Sequence, residues 1–259
     1  MFGSVRRFGP VIGMLAVLAF PAVASANHSW GGYHWARQSN PFALKLGNNL
    51  SGTWPGYLST TSTDWSRSTV LGTTVVAGQA KGRCRGTTGR VEVCNGAYGN
   101  TGWLGVASIS ITGGTHITQG TVKVNDTYFN TAQYNSTAWR NLVMCQEVGH
   151  TFGLDHQDTT FDNMNLGTCM DYTNSPAGGG AYGPPNTSPN QHDYDELVTI
   201  YSHLDSTTTV GQPAPAAAAA AESRAQWGRE VARSAGGHTS VFVRDLGAGQ
   251  QIVTYVIWA

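Results

Sequence analysis

Glu147, His150 and His156, with Gln146 just before them and Gly153 between the histidines, are the residues of this 259-residue chain whose types and spacing could do chemistry. Neutral imidazoles bind divalent metals such as zinc. A catalytic zinc takes three protein donors and keeps one open position, where water becomes acidic enough to attack an amide at neutral pH. His150 and His156 supply two donors. Gln146 lies one helical turn before His150, on the same face, and offers a third through its carbonyl oxygen, a weaker donor than imidazole. Glu147 is then placed to act as general base and to return the proton to a leaving amine. An amide donor would leave the metal less electron-rich, lowering the pKa of its water and weakening its retention. Three arrangements are open: Gln146 coordinates; His192 or Asp155 completes the set; or these residues hold no metal and the chain is not a catalyst.

Elements must bring these residues together. Asn135 and Ser136 are good caps, and Trp139, Leu142, Val143, Cys145 and Val148 recur at helical spacing, which predicts a helix over residues 137–152. Gly153 suits the left-handed turn that ends a helix and could bring His156 back toward His150. Alternation and β-branched runs predict strands at 42–46 (closed by Gly47-Asn48-Asn49), 69–77, 90–93, 103–111 and 120–129, with a short helix starting near Pro55 within 54–65. Residues 157–189 read as loop, 193–204 as an amphipathic helix, and 239–245 with 251–258 as a hairpin turning at Gly247-Ala248-Gly249. The fold class expected is α+β, with a mostly β first half.

Residues 1–26 have the parts of a secretory signal: Arg6 and Arg7, an apolar run, and Ala24-Ser25-Ala26. The apolar run is shorter than the roughly 20 residues that span a bilayer, so no membrane span is expected. The expected organisation is a signal peptide at 1–26, a main domain at 27–205, a Thr/Pro/Ala linker at 206–221, and a hairpin extension at 222–259, either docked or separate. Zero formal charge and 12% charged residues give no basic field for nucleic acid. Export to an oxidising compartment makes the four cysteines two disulfides. Cys84 with Cys94 would staple a local hairpin, and Cys145 with Cys169 would tie the motif helix to the later loop, although the sequence permits three connectivities.

Glu147, His150, Gly153 and His156 in this order, followed by Cys169-Met170-Asp171-Tyr172, resemble the metzincin metalloproteases, closest to matrixin-like and small secreted bacterial forms. The resemblance covers roughly residues 42–204 and departs at Gln146, where the family has histidine. It implies a twisted, mostly β first half, a long active-site helix, a Met-turn loop and a C-terminal helix, with the hairpin as an addition. It further implies a secreted zinc endopeptidase acting on peptide or protein substrates, with zinc on Gln146, His150 and His156. Glu147 would be catalytic, Met170 would pack beneath the metal, and Tyr172 would assist as a movable ligand or oxyanion donor. The substrate cleft is expected along an edge strand at 103–109. The competing expectations are a catalytically inactive protein of the same fold that binds peptides or surfaces, and a carbohydrate-binding exoprotein suggested by the Trp and Tyr content.

Overall fold

In a computed structural model of the chain, residues 28–80, 84–212 and 223–259 are described. The expected signal peptide and most of the expected linker lie outside them. Among the described residues the fold is a mixed α/β arrangement in which four α-helices accompany one large sheet, half parallel and half antiparallel.

The strands are β1 (His34–Trp35), β2 (Phe42–Asn49), β3 (Leu71–Ala77), β4 (Val91–Gly96), β5 (Trp103–Thr112), β6 (His116–Asn125), β7 (Arg229–Arg233), β8 (Thr239–Gly247) and β9 (Gln250–Trp258). They run in the spatial order β3-β2-β4-β6-β5-β9-β8-β7, with β1 pairing in parallel to β6. The half from β3 to β6 is parallel, and β5, β9, β8 and β7 continue it antiparallel. The helices are α1 (Trp54–Trp65), α2 (Asp126–Phe129), α3 (Thr137–His150) and α4 (Gln191–Ile200). None of them is long and apolar enough to cross a membrane.

β5 is buried almost throughout because both of its faces are covered, and its side chains alternate between them except at the register shift between Trp103 and Gly105, which puts Trp103 on the same face as Val106. Leu104, Ala107, Ile109 and Ile111 join the main core beneath α1 and α3. Trp103 and Val106 join a smaller core with Trp227, Phe242, Ile252 and Val256 on the other face. Each fully buried aliphatic side chain contributes about 1.5–3 kcal/mol. Both disulfides form as the spacing suggested, Cys84 with Cys94 and Cys145 with Cys169. The second closes a sequence separation of 24 residues, a loop size for which chain entropy gives about 3 kcal/mol of stabilisation.

Three expectations need correction. Residues 120–129 are not one strand: β6 starts earlier, at His116, and stops at Asn125, whose side chain accepts a hydrogen bond from the Thr127 amide and caps α2. β1 and β7 were not anticipated, the first being two residues long and the second a charged, exposed strand at the sheet's edge. The third concerns residues 103–109. They lie in a central strand, bonded by β6 on one side and by β9 on the other, so this stretch offers no free edge. The C-terminal hairpin is docked as additional strands of the same sheet.

Candidate metal centre

α3 begins where the Ser136 hydroxyl accepts the Trp139 amide and delivers Gln146, Glu147 and His150 fully buried on the sheet-facing side. Gly153 follows with φ 96°, a left-handed value that a side chain tolerates poorly. A Cβ there would also lie 1.9 Å from the Tyr33 carbonyl oxygen. The glycine therefore lets the chain turn against the first strand and carry His156 back, and the His150 and His156 rings sit 4.6 Å apart at 75°. The returning segment is held to the later loop by the Gln157 amide donating to the Met170 carbonyl at 2.7 Å and the Tyr172 amide donating to Asp158 at 3.0 Å.

Each of the three expected donors is fixed at one end and unpartnered at the other. The Gln146 amide nitrogen donates to the Cys169 carbonyl at 2.7 Å, which orients its Oε1 away from that contact. His150 Nδ1 is 2.9 Å from the Leu154 carbonyl, so that nitrogen carries the proton and Nε2 keeps its lone pair. His156 Nδ1 lies 3.4 Å from Asp155 Oδ1. Gln146 Oε1, His150 Nε2 and His156 Nε2 are buried with no hydrogen-bond partner. Buried polar atoms are nearly always satisfied, so three orphans on one motif match a donor set made for a cation. The residues present thus fit a divalent metal. Burial, helped by the neighbouring His156, lowers the pKa of His150 to about 3, which keeps it a neutral ligand.

Glu147 is buried, and the Ala107 amide on β5 lies near its carboxyl group without closing a well-formed hydrogen bond to either oxygen. Desolvation raises its pKa well above the ordinary carboxylate value, and the Ala107 amide on β5 opposes this only in part. Gly105 makes the space for it, since a Cβ there would come within 2.6 Å of Glu147 Oε1. Met170 is buried against the helix at Gly149, where a Cβ would meet its sulfur at 2.7 Å. Asp155 contacts the His156 ring and accepts its backbone amide at 2.8 Å, the position of an orienting partner. His192 stacks on His28, ring centroids 5.0 Å apart. The Tyr172 ring is 6.4 Å from that of His156, and its hydroxyl donates to the Trp258 carbonyl at 3.1 Å.

That last contact introduces what sequence reasoning missed. Tyr255 on β9 stacks on His150 with centroids 4.2 Å apart and planes 4° from parallel, and its buried hydroxyl has no partner. β9 lies alongside β5 from Trp103 to Ile111. Beside His156 a cavity of about 190 Å³ remains, walled by Trp30 and Asp155 and, from the C-terminal strands, by Arg233, Ser240 and Val241. In this conformation the hairpin covers the motif.

A second group of titratable residues was also not anticipated: His34, His116 and Asp205 bring their ligating atoms within 4.8 Å of one another and could hold a metal ion. No protein-family model matches the chain, and no curated protein matches it. Two solved structures of myroilysin align with it at TM-scores of 0.35 and 0.35 and identities of 12% and 14%. They cover 65% and 70% of this chain, and 96% and 97% of their own.

Proposed function

We propose that the chain is a secreted zinc-dependent endopeptidase of metzincin type, with zinc held by Gln146, His150 and His156. The observation that carries this reading is the set of three buried, unpartnered donor atoms, each anchored by a hydrogen bond or ionic contact at its far end. Zinc, when bound, would supply Lewis acidity toward the scissile carbonyl and acidify the attacking water. Burial raises the Glu147 pKa, and a cation on the neighbouring donors would favour its ionised form, which could take a proton from that water and pass it to the amine as the C–N bond breaks. Asp155 fixes the His156 ring, and Cys169 fixes the Gln146 amide. The two disulfides accord with an oxidising, extracellular setting. Tyr172 can assist only after its hydroxyl leaves the Trp258 carbonyl.

A second reading has its own observation. Gln146, Glu147 and His150 have no exposure, and Tyr255 lies over His150, which suits a protein that keeps the fold without turnover. Gln146→His separates the two. As a metal ligand, position 146 should bind zinc at least about tenfold more tightly with imidazole than with amide, read by competition against a chelating dye. The zinc-loaded wild-type chain should cleave an unstructured peptide. Unchanged zinc affinity in the variant would remove Gln146 from the ligand set, and a zinc-loaded chain with no cleavage would favour the non-catalytic reading.

A further inference from the structure

Away from the motif, four side chains converge where the start of the described chain, the rim of the sheet and the segment after α4 meet. His34 and His116 are register partners on β1 and β6, so their side chains emerge side by side. His203 and Asp205 come from the chain after α4. His34 Nε2, His116 Nε2 and His203 Nε2 lie 3.5, 3.2 and 3.7 Å from the same oxygen, Asp205 Oδ1. His34 Nε2 and His203 Nε2 are 3.2 Å apart.

One of these contacts sets two acceptors against each other. His34 Nδ1 lies 2.7 Å from the Gly32 carbonyl, an atom that can only accept, so Nδ1 carries the proton. A neutral His34 therefore turns the lone pair of Nε2 toward the Asp205 carboxylate oxygen, 3.5 Å away, and can accept only from His203 Nε2. Lone pairs facing one another at this range repel unless a cation stands between them. The spacing fits one: donors at about 2.0–2.2 Å from a tetrahedral zinc are about 3.3–3.6 Å from each other. The three histidine–Asp205 separations and the His34–His203 separation, 3.2 to 3.7 Å, bracket that range.

The surroundings have the arrangement that orients metal ligands. The Arg37 guanidinium donates to Asp205 Oδ2 at 3.0 Å and the Arg37 amide to the same oxygen at 3.1 Å, which leaves Oδ1 for the centre of the cluster. Arg37 is itself buried, its guanidinium over the Tyr201 ring and bonded to the carbonyls of Tyr201 and His203.

We infer that His34, His116, His203 and Asp205 form a second, structural zinc site that pins the segment after α4 to β1 and β6. Three imidazoles and one carboxylate fill a tetrahedron and leave no open position, so the site clamps and does not catalyse. It joins segments about 170 residues apart in sequence, as the His34–Asp205 separation of 171 shows, with no disulfide among them.

The test is metal counting on the purified full chain after zinc loading and dialysis. His203 is half exposed and His116 partly so, and their replacement should leave the fold intact. His203→Ala and His116→Ala should each hold about one zinc ion fewer than the wild type, with near-ultraviolet circular dichroism unchanged. Titration with cobalt(II) should give the intense visible bands of a tetrahedral ion in the wild type, weakened in both variants. Folded variants that retain the wild-type zinc count and cobalt spectrum would overturn the assignment.

Discussion

Glu147→Gln should abolish peptide cleavage while leaving the fold and the zinc content as in the wild type. The substitution keeps the size of a side chain that sits in a space opened by Gly105 and removes the group able to exchange a proton. General acid–base groups contribute about 10²–10⁴-fold, so a loss of that size in kcat/KM is expected. Stability should hold or rise slightly, because the variant no longer buries a carboxyl group whose ionised form is disfavoured there. The check pairs peptide hydrolysis with metal analysis. Equal rates for wild type and variant would take Glu147 out of the chemistry.

The second large effect concerns the hairpin. β9 pairs with β5 and places Tyr255 on His150, so a peptide can reach the motif only when the last strands move aside. Ser108 and Thr254 are register partners across β5 and β9, with their hydroxyl oxygens 2.9 Å apart, close enough for a disulfide once both are cysteine. The double variant Ser108→Cys/Thr254→Cys, once oxidised, should lose peptide cleavage to background and regain it on mild reduction, whereas each single variant should cleave like wild type. Cleavage by the oxidised double variant at the wild-type rate would show that the strand need not leave.

Much of what positions the motif could be read from the chain. The helical recurrence from Trp139 to Val148, the cap at Ser136 and the glycine at 153 are local signals, and local signals survive in the fold. The cysteine pairing was one of three connectivities the sequence permits, and the fold selects it by bringing the motif helix against the loop that carries Cys169. What the chain did not disclose depends on pairing over long separations. The alternation in residues 251–258 marks a strand, but nothing in it says that its neighbour is residues 103–111. Tyr255 is an ordinary strand aromatic until β9 docks on β5. His34, His116 and Asp205 are likewise scattered over three segments, with only the His203-x-Asp205 spacing as a local hint. Gln146 is a different case. Read alone it is a defect in a histidine motif, whereas in the fold its nitrogen is used by Cys169 and its oxygen is left free.

Crystals of the full chain grown with excess zinc, with data recorded on both sides of the zinc absorption edge, test the central claim most directly. An anomalous peak about 2.0–2.2 Å from Gln146 Oε1, His150 Nε2 and His156 Nε2 is the predicted result. No peak at those three atoms, in a crystal whose His34, His116, His203 and Asp205 cluster is fully occupied, would contradict it.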